Sequence, residues 1–213
     1  MIQDEGSTAA PSWFGKLPGM GDFAERRMPA VFREPWDRWL QNGLVRLRRH
    51  SGWTERYLKA PLWCFVLSEG VIDGRGWLGV LMPSVDSVGR YFPLTLAAEL
   101  VSSRTELEGD VLARTQRWWA LAVQAALEGL EHDLDALRFD VRLRELFAAP
   151  ATGMDAGERP PLALPEVGHS LWFTDPAAER GLGMTSHGLP QDEQFEALFG
   201  FGSEAGMRPE EGS

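Results

Sequence analysis

The stretch from Gly76 to Leu94, GWLGVLMPSVDSVGRYFPL, constrains this chain more than any other. It reads as two apolar strands, Trp77–Met82 and Tyr91–Leu100, joined by a small polar turn. Strands that follow one another across so short a link pair antiparallel, because a parallel return needs a crossover of about a dozen residues or more. The turn concentrates Ser84, Asp86, Ser87, Gly89 and Arg90 among Val, Met, Phe and Tyr. Polar chemistry that dense, on a rigid apolar hairpin, marks either a place where something is held or the corner's own bracing. Pro93 has no N–H for a ladder, which puts its strand at a sheet edge or at a bulge.

Further strands are expected at Ser12–Leu17, Leu62–Ser68 and Ser170–Thr174, with Leu182–Thr185 pairing with the last. Pro18–Asp22 (PGMGD) reads as a Gly/Pro turn needing unusual backbone angles, and Glu25–Met28 as a polar connection. Pro35 suits the first turn of a helix. The helix after it carries Trp36, Trp39, Leu40, Gly43, Leu44 and Leu47 on one face, at spacings of three and four. Thr54–Ala60 is a short helical piece closed by Pro61. Thr105–Gly129 is a long helix opened by a Thr105/Glu108 capping box. Its inner stripe is Leu107, Val111, Trp118, Ala122 and Ala125, widened by Trp119, Val123 and Ala126. Leu134–Ala148 and Gln191–Phe199 follow as helices, separated by a long exposed loop over 150–168. The expected architecture is one α+β (α/β) domain over residues 12–200, a mainly antiparallel central sheet covered by helices. Residues 1–11 are expected as a disordered leader and 201–213 as a flexible acidic tail.

A chain of 213 residues with nine Trp and eleven Phe buries a core without disulfides or a metal. Cys64 is the single cysteine, set in an apolar LWCFVL run, so an intramolecular disulfide is impossible and the thiol reads as an inert buried group. The start of the chain is acidic and polar, and no apolar run approaches the ~20 residues of a membrane span. A cytoplasmic protein with no membrane insertion is therefore expected. Net charge is −10 but uneven: residues 1–103 hold 12 basic and 11 acidic side chains, a net of +1, and residues 104–213 hold 9 and 20, a net of −11. The basic cluster Arg46, Arg48 and Arg49 reads as cations offsetting a helix C-terminus. It is not the broad basic face of a nucleic-acid binder, and no nucleic acid is expected.

Candidate chemistry is sparse. His50, His132, His169 and His187 show no metal-ligand spacing, and no cofactor is implied. A hydrolase using Ser84 or Asp86, with His169 or His187 brought near, lacks a G-x-S-x-G elbow. Gly19-x-Gly21 lacks the rest of a phosphate loop, although Lys16 and Arg90 leave a nucleotide or phosphopeptide ligand open. Asp22 is placed to cap a backbone N–H or to pair with Arg26 or Arg27. Asp86 and Arg90, four apart across the turn, form a local ion pair or present a charged motif to a partner; both readings stand.

Two segments together resemble a known family. Trp13–Leu44 reads WFGKLPGMGDFAERRMPAVFREPWDRWLQNGL, and Gly76–Leu96 reads GWLGVLMPSVDSVGRYFPLTL. Their wording, order and spacing are similar to TagF, the type VI secretion-associated family, at Trp13–Pro18, Gly21–Phe23, Phe32, Pro35–Leu40 and Gly79–Leu94. Ser170-Leu171-Trp172 and Gly188-Leu189-Pro190 with Phe195 also fit, so the resemblance spans roughly residues 12–200. It implies a cytoplasmic post-translational repressor of type VI secretion, associated with a forkhead-associated-domain scaffold protein beside a kinase/phosphatase switch. The family offers no catalytic residues to carry over, so no enzyme activity is expected. The motif positions taken as partner-contacting candidates are Lys16, Pro18, Gly21, Asp22, Phe23, Ser84, Asp86, Gly89, Arg90 and Tyr91.

Overall fold

Trp63–Leu67 (β3) is buried along its whole length, and its alternating side chains feed two separate cores. Trp63, Phe65 and Leu67 point into one, Cys64 and Val66 into the other. Period-two alternation makes this the signature of a central strand covered on both faces. A computed structural model describes residues 10–100, 105–150, 160–177 and 181–201, together with the backbone of residues 208–209.

The remaining strands of the sheet are β1 (Ser12–Lys16), β2 (Phe23–Arg26), β4 (Gly76–Met82) and β5 (Leu94–Leu100). β8 (His169–Phe173), β9 (Leu182–His187) and a two-residue β10 (Arg208–Pro209) complete it. Their order is β10-β9-β8-β3-β4-β5-β1-β2, and every pairing is antiparallel. β6 (Glu106–Leu107) and β7 (Leu162–Ala163) form a separate small ribbon. One face of the sheet is closed by α1 (Ala30–Leu47), Tyr57 of α2 (Trp53–Lys59) and α5 (Asp192–Leu198). The other is closed by α3 (Gly109–Glu131) and α4 (Ala136–Ala148). This is the α+β sheet-and-helix domain expected from the sequence. No helix among the described residues is long and apolar enough to cross a membrane.

Several boundaries differ from the sequence reading. α1 begins at Ala30, and Pro35 lies inside it. Pro29, in extended conformation, precedes the first turn, and Phe32 joins the buried stripe. The carbonyl that loses its partner to Pro35 belongs to Val31, on the exposed side of the helix. Phe23–Arg26 is an edge strand rather than a connection, paired with β1 from Lys16↔Phe23 to Trp13↔Arg26.

β5 starts at Leu94, not Tyr91, and lies between β4 and β1 in the sheet. Pro93 needs neither edge nor bulge because it precedes the first ladder pair, Met82↔Leu94. α3 starts at Gly109, and the Thr105/Glu108 capping box does not form: Glu108 makes no side-chain cap bond, and the Thr105 carbonyl instead accepts from Leu164 N–H at 2.8 Å. Leu162–Ala163, read as loop, is the strand that pairs with Glu106–Leu107. Residues 151–159 of that loop lie outside the described residues. So do residues 1–9 of the expected leader and, β10 aside, the tail beyond Phe201.

Candidate functional site

Two loops at one end of the sheet meet to form a corner. The first follows β1, where Pro18 and Gly19 occupy the centre of a turn closed by Met20 N–H donating to the Leu17 carbonyl at 3.3 Å. Proline at the second position of such a turn is favoured because its φ is preset. Neither Gly19 nor Gly21 takes the unusual backbone angles expected of them. Gly19 is required by crowding instead, since a Cβ there would lie 2.2 Å from the Asp133 carbonyl oxygen. The second loop is residues 83–93, folded back on itself by a Val85–Tyr91 bridge and by Gly89 at φ 80°. Ser87 N–H donates to the Met20 carbonyl at 3.0 Å, and the Arg90 guanidinium donates Nη2–H to the Gly21 carbonyl. The segments that carry the family resemblance are thus stitched into one body.

Asp86 is the hub of this corner. Its Oδ1 accepts from Val88 N–H at 3.1 Å and Arg90 N–H at 2.8 Å. Its Oδ2 accepts from Arg90 Nε at 2.8 Å and from the Lys16 ammonium. Lys16 and Asp86 are 3% and 4% exposed, so their ion pair is internal. Burial works to raise the Asp86 carboxyl, but the hydrogen bonds from Lys16, Arg90 and Val88 outweigh it and hold the group well below the ordinary carboxylate range. The Lys16 ammonium also sits 4.6 Å from the Phe23 ring centroid, and Phe14, Phe23 and Phe92 pack against one another beside it.

Ser84 is equally internal. Its hydroxyl donates to the Lys16 carbonyl at 2.8 Å, its N–H to Tyr57 Oη at 3.0 Å, and its carbonyl accepts from Tyr57 Oη–H at 3.1 Å. Burial pushes the Tyr57 hydroxyl far up, which keeps it a neutral donor at this junction. A hydroxyl held this way braces two loops, and it is shielded from any substrate. Asp86 likewise has both oxygens committed.

The sequence candidates therefore divide into two groups. Lys16, Ser84 and Asp86 form an internal brace, and Pro18 lies half-buried in the turn above it. Gly21, Asp22, Phe23, Gly89 and Arg90 face solvent. Asp22 accepts from Phe23 N–H at 2.8 Å and makes no ion pair with Arg26 or Arg27; Arg27 instead grips Asp140 of α4. Tyr91 is half-buried, edge-on to Trp53 and Tyr57 at 5.1 and 5.7 Å. The exposed rim comprises Phe23 at 44%, Val88 at 66% and the Arg90 side chain at 55%. Tyr57 and Val88 escaped the sequence reading. For Tyr57 the available signal was that the chain has only two tyrosines, and these two touch.

Fold and corner together define an α+β domain whose conspicuous polar residues stiffen a small exposed platform. The family model of the TagF N-terminal domain, type VI secretion system-associated, matches residues 12–146, which include both loops of the corner. The crystal structure of PA0076 from Pseudomonas aeruginosa PAO1 superposes with a TM-score of 0.68 at 30% sequence identity, covering 88% of this chain and 93% of that one. No curated protein matches the chain. The chain belongs to the TagF N-terminal domain family, and its place is in type VI secretion.

Proposed function

We propose that this protein is a regulatory interaction module of type VI secretion with no catalytic activity of its own. It acts after translation, in the cytoplasm, and represses assembly of the secretion system by binding a forkhead-associated-domain scaffold component. One observation carries the reading: the two segments that mark the family, far apart in sequence, converge on a single braced corner whose outward groups are Phe23, Val88 and Arg90. An exposed aromatic and an aliphatic side chain beside an arginine, fixed in advance by an internal ion pair, have the make-up of an interface hot spot. Preorganisation lowers the ordering cost of binding.

Val88→Glu tests it directly. Val88 is two-thirds exposed, so this change should leave folding stability within about 0.5 kcal/mol of wild type. Capture of the purified scaffold protein in a pull-down should be lost, and overexpressed variant should no longer suppress secretion. A Val88→Glu chain that still captures the scaffold and still represses would refute the corner as the binding surface. Wild-type protein that neither captures it nor alters secretion would refute the partner itself.

A further inference from the structure

The junction of α1 and α2 carries a second feature that the corner does not use. Residues 45–59 hold five cations, Arg46, Arg48, Arg49, Arg56 and Lys59, against the single carboxylate of Glu55, a net of +4 in a chain of −10. Part of this charge is neutralised locally. Arg46 pairs with Asp192 and Glu196, His50 approaches Glu196, and Lys59 pairs with Glu55. Arg48, Arg49 and Arg56 make no ion pair with any described residue, and all three are exposed.

Two of these guanidinium groups lie within cation–π reach of aromatic rings. Arg48 lies 5.7 Å from the Trp53 ring centroid and Arg56 5.3 Å from that of Phe201, whose ring also meets His50 at 4.8 Å. Offsetting a helix C-terminus needs only a cation near the last turn. It does not require arginines placed within cation–π reach of aromatic rings. A guanidinium held near a ring in this way loses some freedom and keeps N–H groups available for pairing with a carboxylate. Val45 and Leu58, both about half exposed, add apolar surface on the same two helices.

We propose that this surface binds an acidic protein segment, an extended run of Asp and Glu side chains whose carboxylates pair with Arg48, Arg49 and Arg56. Charge complementarity supports this: three arginines without an ion pair among the described residues stand on a protein whose overall charge repels polyanions, so attraction must be local. It does not depend on the corner being an interface.

The test is fluorescence anisotropy of labelled decaglutamate titrated with the full-length chain, beside duplex DNA and phosphatidylserine vesicles. Saturable decaglutamate binding that weakens as salt is raised is expected. Arg49→Glu, at an exposed position with no aromatic contact, should weaken it about tenfold without loss of folding, and Arg48→Glu/Arg56→Glu at least as much. Arg49→Lys should retain most of it, and Val88→Glu should leave it unchanged, which separates this surface from the corner. The proposal is overturned if decaglutamate does not bind, or binds Arg49→Glu as well as wild type. It is equally overturned if DNA or vesicles are preferred, or if sedimentation shows that the patch is covered by a second copy of the chain.

Discussion

On the face of the sheet covered by α1, α2 and α5, five tryptophans are buried and each of their indole N–H groups has an acceptor. Trp36 donates to Thr95 Oγ1 at 2.9 Å, Trp39 to the Pro190 carbonyl at 2.7 Å and Trp63 to the Leu198 carbonyl at 2.8 Å. Trp77 donates to Asp73 and Trp172 to Ser170 Oγ. Trp36, Trp39 and Trp172 meet ring to ring, with Trp36 at 4.6 Å from Trp39 and also 4.9 Å from Phe65. On the face covered by α3 and α4, the helix contributes Ala122, Ala125 and Ala126, packed over Cys64, Val66, Leu78 and Val80. Trp13 donates to Asp140 there at 3.0 Å, whereas the fully buried Trp119 has no partner for its Nε1–H among the described residues. The first face is specified by direction as well as shape; the second relies on small side chains that let a helix lie close.

The largest consequence of that difference should appear at Trp36. Trp36→Ala removes a fully buried ring and leaves Thr95 without its donor, so it should cost about 3–5 kcal/mol in urea unfolding. A cost below ~1.5 kcal/mol would mean that the aromatic face repacks freely, and the contrast with the α3 face would disappear.

Lys16→Met comes next. It leaves Asp86 buried without its ammonium, and the expected loss is about 3 kcal/mol, the low end for breaking a buried pair because Arg90 and two amides remain. The pair also sets an acid dependence. The folded carboxyl of Asp86 is depressed, so its contribution is complete at pH values above the ordinary carboxylate range and is lost as pH falls through the folded value. The stability gap between wild type and Asp86→Asn should therefore be constant near neutral pH and narrow in acid. A gap that widened in acid would reverse the assignment.

Helix faces and central strands were the legible part of this chain. The buried stripe of α1, from Trp36 to Leu47, follows the spacing of three and four, and β3 and β4 stand out as apolar runs. The start of α1 was hidden because Pro35 is so good a first-turn residue, although a proline five residues in is tolerated when the lost bond faces water. β2 was hidden because a four-residue edge strand exposes Phe23, Glu25 and Arg26 and so lacks an apolar signal. At the corner, the polar residues that meet are conspicuous in the sequence, but the direction in which each faces is not. Lys16 and Asp86 are 70 positions apart, and no local pattern tells a lysine that it will be buried against an aspartate. Charged side chains are almost never fully buried unless paired, and pairing at that separation is a property of the sheet order, which brings β1 beside β5.

A smaller effect is expected where α1 crosses α5. Gly43 lies against the Phe195 ring, and a Cβ there would sit 2.1 Å from it. Gly43→Ala gains helix propensity but must displace Phe195, which itself packs edge-on to Trp39 at 5.2 Å. The net loss should be about 1–3 kcal/mol, as for overpacking of a tight core. Phe195→Leu in the same chain should recover part of it, because the smaller side chain vacates the space. Failure of that second change to recover any stability would place the strain elsewhere in α1.

The smallest predicted effect bears most directly on the contrast between the faces. Trp119 meets Phe173 edge-on at 5.0 Å and is completely enclosed. Trp119→Phe keeps an aromatic ring and removes an N–H that has no acceptor, so the lost volume is partly offset by relief of an unsatisfied donor. Trp36→Phe removes the same atoms but strands the Thr95 hydroxyl. The two variants share a volume change, so the difference between them isolates the hydrogen bond, and Trp36→Phe should be the less stable by about 1 kcal/mol. Equal losses would show that the indole N–H groups of the α1 face contribute nothing beyond their rings, and both faces would then be held by packing alone.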